Sequence, residues 1–192
     1  MKKAKKIKVG IEKVNKVYHI ADVHIRNLKR HKEYREVFSH LYGYILTTME
    51  ENDIIYIAGD IVHAKTDMSP EVVDLTQEFF TRLADLLPTI VIPGNHDANL
   101  NNVSRLDALT PIVNALNHPN LFYLKDSGVW SLGNLTIVHQ SVWDNSPGFP
   151  LASEVDGDVK VGVFHGAVDK IETEHGFSIE NKNINVGNFD GY

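Results

Sequence analysis

The chain has 192 residues, 43% hydrophobic and 23% charged, with ten histidines and no cysteine. That composition suits one globular domain able to bury a core. It excludes a disordered chain, a disulfide scaffold and any thiolate zinc site, so a bound metal must be held by His, Asp, Glu or Asn. No stretch approaches the roughly 20 apolar residues that a membrane span needs, and the lysine-bearing N-terminus lacks the apolar run of a secretory signal, so an intracellular protein with no membrane association is expected.

The net charge of −6 conceals an asymmetry: residues 1–35 carry 12 of the 19 Lys and Arg but three of the 25 acids. A basic front end suits an anionic partner, with a solvated lysine-rich segment over residues 1–14 as the competing explanation. Along the chain, Ile7, Val9 and Ile11 alternate with polar residues, which predicts an edge strand, and residues 17–21 (VYHIA) predict a second. From Tyr34 onward, Val37, Phe38, Leu41, Tyr42, Ile45, Leu46 and Met49 recur with helical period and predict an amphipathic helix facing a core. The apolar run at residues 54–58 (IIYIA) suits a strand buried on both faces. Ser69, Pro70 and Glu71 supply an N-cap, a proline at the first helical position and a first-turn acid for a helix ending near Pro88. Residues 89–92 predict another buried strand, and Thr110 with Pro111 can cap a short helix through Leu116.

The pattern then changes to four strand-like runs, residues 122–124, 129–132, 135–139 and 159–164, with a Pro/Gly/Ser-rich loop at 146–150. Strands that alternate with helices and then cluster predict one layered α/β domain without internal repeats, its first half wound β-α-β-α-β. Functional loops in such folds lie at the carboxyl ends of parallel strands.

Three of the buried strands exit into Asp22-Val23-His24, Gly59-Asp60-Ile61-Val62-His63 and Gly94-Asn95-His96-Asp97, and a fourth into His165-Gly166. One Asp or Asn after a strand is ordinary turn chemistry. Four exits that all carry histidine, along one edge of a parallel or mixed sheet, are expected to converge on a common crevice. Carboxylate and amide oxygens mixed with imidazole nitrogens suit Mn²⁺, Fe²⁺ or Zn²⁺. A carboxylate from the middle strand can bridge two ions roughly 3.5–4 Å apart, which would acidify a bound water and stabilise displacement at phosphorus. Gly59 and Gly94 are expected to let the backbone turn beside the ions without an obstructing Cβ. Arg26, Lys29, Arg30, His31, Lys32 and Arg35 follow the first exit directly, a patch able to hold a nucleic-acid backbone through its phosphates. A solvated helix face is the competing reading, although cations are disfavoured at a helix N-terminus. His139 reads chiefly as a partly buried structural residue, His19 as strand interior, and His40, His118 and His175 as surface residues.

The series D-x-H, G-D-x-x-H, G-N-H-D and H-G resembles the calcineurin-like metallophosphoesterase superfamily over roughly residues 16–192. The GDIVH form of the second motif and the basic segment look most similar to SbcD-type DNA double-strand-break repair nucleases. The resemblance implies an α-β-β-α sandwich and two divalent ions, with Mn²⁺ the first choice and Fe²⁺ or Zn²⁺ alternatives. It places Asp22 and His24 on one ion, Asp60 as the bridge, and Asn95 and His165 on the other. His96 would protonate the leaving oxygen, Asp97 would orient the His96 ring, and His63 would lie over the substrate phosphate. It implies DNA as substrate, contacted by Arg26, Lys29, Arg30, His31 and Lys32, together with an SMC-like ATPase subunit and a homodimer. The family closes its site with a later strand ending in an H-x-H-like pair, whereas this chain stops at Phe189-Asp190-Gly191-Tyr192. The fold is therefore expected to be C-terminally incomplete and weakly active or inactive. A phosphatase or cyclic-nucleotide phosphodiesterase on the same scaffold, or a non-catalytic nucleic-acid-binding scaffold subunit, are the alternatives.

Overall fold

A computed structural model of the chain describes residues 4–146, 149–172, 176–181 and 184–192. The surface expectation for His175, the first three residues of the basic segment and part of the 146–150 loop lie outside them. In chain order the elements are β1 (Lys5–Lys6), β2 (Val17–Ile20), α1 (His31–Thr48), β3 (Ile54–Ala58), α2 (Pro70–Leu86), β4 (Thr89–Ile92), α3 (Leu109–Leu116), β5 (Leu121–Tyr123), β6 (Gly128–Leu132), β7 (Leu135–Gln140), β8 (Val159–Phe164), β9 (Lys170–Glu172) and β10 (Ser178–Glu180).

The β-α-β-α-β winding builds a fully parallel sheet in the order β2-β3-β4-β5. A second sheet follows the order β1-β6-β7-β8, with β6 antiparallel to β7, and β7 parallel to β8. Strands β9 and β10 pair apart as a small antiparallel ribbon. The continuous apolar runs of β3 and β4 split by the two-residue period of a strand. Ile55, Ile57 and Val91 face the helices, alongside Phe38, Leu75, Phe79 and Leu83. Ile54, Tyr56, Ile90 and Ile92 face the second sheet, against Leu132, Leu135 and Ile137. Side chains such as Phe79, Phe80 and Leu83 are fully buried, each worth about 1.5–3 kcal/mol over exposure. The outer face of the second sheet, carrying Val129 and Val138, is covered by Phe149, Val155, Ile184, Phe189 and Tyr192 from irregular segments and 3-10 turns. The fold is α/β, and among the described residues the three α-helices pack on the first sheet. Among the described residues no helix is long and apolar enough to cross a membrane.

Four expectations shift. The edge strand forms at Lys5–Lys6, where it pairs with Trp130 and Ser131 and the Lys5 ammonium lies 4.9 Å over the Trp130 ring; Ile7, Val9 and Ile11 pack into the inter-sheet core instead. Helix α1 begins at His31, because Arg30 in the left-handed region (φ 59°) turns the chain into it. Helix α3 is capped by Asp107 rather than Thr110. The Asp107 carboxylate accepts from the Leu109 and Thr110 amides at 2.9 and 2.6 Å and is paired with Lys125 at 2.9 Å. Finally, the four histidine exits do not share one sheet edge: β8 lies in the second sheet, so the crevice forms where two sheets meet.

Candidate metal centre

The exits of β2, β3 and β4 are laced together by main-chain hydrogen bonds. The Asp22 amide donates to the Gly59 carbonyl (3.2 Å), His24 to Asp60 (2.9 Å), His63 to Ile25 (2.9 Å) and Lys65 to His96 (3.1 Å). Helix α1 braces the first exit through the Tyr34 hydroxyl, which donates to the His24 carbonyl at 2.6 Å. Asp22, His24 and Asp60 all have left-handed φ, at 56°, 50° and 54°. Non-glycine residues carry that strain where the surroundings impose a particular side-chain direction, commonly at functional sites. The glycines let two loops touch rather than merely turn: a Cβ on Gly59 (φ 88°) would lie 2.7 Å from the Gly94 amide nitrogen, and one on Gly94 would fall onto Asp60.

Asp60 sits between two ligand pairs. Its Oδ2 is 3.5 Å from His24 Nε2 and 3.3 Å from His165 Nε2, while its Oδ1 accepts from the His96 amide at 2.8 Å. On one side His24 Nε2 is 3.7 Å from Asp22 Oδ1; on the other His165 Nε2 is 3.1 Å from Asn95 Oδ1. Neighbouring ligands of a single ion at metal–ligand distances of about 2.1 Å stand about 3–3.4 Å apart; the contacts of His165 with Asn95 (3.1 Å) and Asp60 (3.3 Å) fall inside that range, and those of His24 with Asp60 (3.5 Å) and Asp22 (3.7 Å) lie a few tenths of an ångström outside it. His165 Nδ1 donates to the Ala58 carbonyl at 2.7 Å, which leaves Nε2 with the lone pair a metal needs. The structure thus brings together Asp22, His24, Asp60, Asn95 and His165.

The electrostatics agree with a cation site. Burial opposes the charge of Asp60, yet hydrogen bonds from His165 and the His96 amide, with the histidine charges, hold its pKa below the ordinary value. Burial would lower His165, but the bond to Asp60, the Ala58 carbonyl and the Asp60 charge raise it. A proton on His165 therefore occupies the place that a divalent ion would take, and metal binding would release it.

The His96 ring is oriented by a backbone carbonyl and not by Asp97. His96 Nδ1 donates to the His63 carbonyl at 2.5 Å. Asp97 is wholly buried and accepts from the amides of Ile61, Val62 and Gly94 at 3.3, 3.0 and 2.9 Å. It ties the β3 exit to the β4 exit. Burial raises its pKa to about 6; the three amides oppose that shift and the Asp60 charge adds to it. His63 is exposed, with its pKa lowered by desolvation and then by Arg26, His24, His96 and Lys29.

The basic segment divides. Arg30 pairs with Glu33 (3.6 Å), Lys32 with Glu36 (3.9 Å), and Arg35 with Asp74 (3.0 Å) and Glu78. The His31 ring donates from Nε2 to the Arg26 carbonyl at 2.7 Å, so that nitrogen is committed to the loop. Among the described residues Arg26 and Lys29 have no ionic partner, and theirs are the segment's charges that bear on His63. Lys65, two residues beyond His63 and not singled out from the sequence, donates to the Asn95 carbonyl at 3.2 Å. His139 is buried and lies outside the centre, with no side-chain hydrogen-bond partner among the described residues. A cleft of about 380 Å³ opens beside Asn95 and His165, walled by Leu100, Asp144, Phe164 and Glu180.

Comparison with known proteins finds, among others, three that are similar to this chain. Uncharacterized protein R555 of Acanthamoeba polyphaga mimivirus is 40% identical over 188 residues, covering 92% of this chain but 14% of that protein. This chain therefore spans a small part of its relative's length. The crystal structure of the Pseudomonas putida nuclease MPE is similar at 17% identity and a TM-score of 0.41, covering 85% of this chain and 67% of that one. The Aquifex aeolicus protein of unknown function AQ665 is similar at 16% identity and a TM-score of 0.33, covering 65% and 61%. The sequence pattern of calcineurin-like phosphoesterases matches residues 15–189, a span that holds every exit from Asp22 to His165, and the chain belongs to that family.

Proposed function

We propose that this chain is the metal-binding portion of a two-metal phosphodiesterase that hydrolyses DNA backbones, of the repair or recombination type. The observation that carries the reading is the Asp60 oxygen placed between the His24 and His165 nitrogens, which suits one carboxylate shared by two ions. Asp22, His24, Asp60, Asn95 and His165 would hold the ions, Mn²⁺ being the first choice for such an oxygen-rich set. When bound, two such ions supply an acidified water and neutralise the charge that develops at phosphorus. His96, with Nδ1 fixed on the His63 carbonyl, is left to present Nε2 to the leaving oxygen as its proton donor. His63, exposed beside it, can donate to a phosphate oxygen, and Arg26 and Lys29 can hold flanking phosphates without reading bases. An SMC-like ATPase partner and a homodimer complete the proposal, and sequence resemblance alone supports them.

The test is cleavage of single- and double-stranded DNA by the whole protein with Mn²⁺. Cleavage should stop on chelation and fall by about 10²–10⁴-fold in His96→Ala; no Mn²⁺-dependent cleavage would refute the reading. A phosphatase or cyclic-nucleotide phosphodiesterase is the second reading, favoured by the pairing of Arg30 and Lys32 with acids and by Asp144 and Glu180 in the adjoining cleft. It predicts turnover of bis-p-nitrophenyl phosphate that is indifferent to Arg26→Ala/Lys29→Ala.

A further inference from the structure

Three imidazoles from three loops meet beside the Asp60 centre: His24 after β2, His63 after β3 and His96 after β4. One ligand nitrogen from each lies within 4.8 Å of the other two. The ring centroids are 4.6 Å apart for His24 and His96, 5.6 Å for His24 and His63, and 5.6 Å for His63 and His96. Three rings on one tetrahedral ion, with metal–nitrogen bonds of about 2.1 Å, have centroids about 5 Å apart. Small side-chain rotations therefore close this triangle around an ion. The His96 bond to the His63 carbonyl fixes Nδ1 as donor and leaves the lone pair on Nε2, the second contact that orients metal-binding histidines.

We infer that His24, His63 and His96 form a binding site for one Zn²⁺ ion that shares His24 with the centre around Asp60 and excludes the other members of that centre. Three neutral nitrogens suit Zn²⁺ and leave its fourth position open. Nitrogen donors also favour Zn²⁺ over Mn²⁺ in the general affinity order of divalent ions, whereas the oxygen-rich set around Asp60 suits the harder ion. The zinc site takes His96 and His63 out of use and competes for His24, whose Nε2 faces Asp22 and Asp60. Zn²⁺ thus switches the protein off. That consequence rests on the function proposed above; the binding itself does not.

The test begins with calorimetric titration of Zn²⁺ into Asp22→Asn/Asp60→Asn, which disables the carboxylate centre. One equivalent is expected to remain, and Co²⁺ in its place should show the intense visible absorption of a four-coordinate ion. Adding His63→Ala should weaken that equivalent by at least about tenfold. A second arm needs no carboxylate substitution: Zn²⁺ titrated into the parent loaded with Mn²⁺ should displace Mn²⁺ from His24 and bind at least about tenfold more tightly than in His63→Ala treated alike. Zn²⁺ affinity unchanged by His63→Ala in this second arm would overturn the inference. DNA cleavage fails separately: absent cleavage alongside an intact Zn²⁺ equivalent would sink the nuclease reading and leave this site standing.

Discussion

Replacing Asp97 by Ala should damage both stability and metal binding. The substitution strips the carboxylate that, among the described residues, accepts from the buried amides of Ile61, Val62 and Gly94, and Ile61 and Val62 are wholly buried. An unpaired buried amide costs about 1–3 kcal/mol, so three would cost about 3–9 kcal/mol if nothing else changed. Something else does change, because the burial penalty of the Asp97 charge disappears too. A pKa raised to about 6 shows that burial outweighs the amides for the charged form, which places the expected loss near the lower end, about 3 kcal/mol. That is a large share of the roughly 5–15 kcal/mol of a typical domain. Asp97→Asn keeps one accepting oxygen and should fall between Ala and the parent. Urea denaturation in chelator gives the stability, and Mn²⁺ calorimetry on folded variant gives the metal affinity, which should fall because Asp97 joins the loops of Asp60 and Asn95. A loss below about 1 kcal/mol for Asp97→Ala would refute this account, as would unchanged Mn²⁺ affinity in the folded variant.

His139 sets a pH dependence. Burial lowers its pKa to about 4, from 6.5 in the unfolded chain. The unfolded chain takes up the proton first as pH falls, so stability held above pH 6.5 drains away between 6.5 and about 4, by about 3 kcal/mol in all. His139→Leu should flatten that part of the urea-midpoint profile, and a parallel profile would refute it. At the basic segment, Arg26→Ala/Lys29→Ala should reduce the slope of log K against log salt for duplex DNA by about 2. Arg30→Ala/Lys32→Ala should reduce it less, since Glu33 and Glu36 already offset those charges; binding titrations at several salt concentrations giving equal reductions would contradict the division of the patch.

Much of the first half of the fold was legible in the chain. The runs at 54–58 and 89–92 became β3 and β4 with those bounds, and Ser69 caps α2 by accepting from the Val72 amide. Apolar period and cap chemistry act over a few residues, so the local sequence suffices to specify them. The α3 cap was misplaced because Asp107 owes its position to distant partners, Lys125 and Tyr123. Which residues follow the ends of β2, β3, β4 and β8 could likewise be read from order alone.

What local order could not convey was direction and company. Periodicity marks β8 as a strand but not which sheet it joins, and that choice carries His165 across the crevice to Asp60. Neighbouring loop residues such as His96 and Asp97 diverge according to backbone angles that the tertiary contacts impose, one ring reaching a carbonyl and one carboxylate sinking beneath two loops. The pairing of Arg30 and Lys32, and the triangle of His24, His63 and His96, arise in the same way. The sequence by itself determined which chemical groups stand at the strand ends, because that is a matter of residue type and short-range period. Only the tertiary structure decided which of them face one another, because contacts between loops far apart in the chain depend on how the two sheets pack.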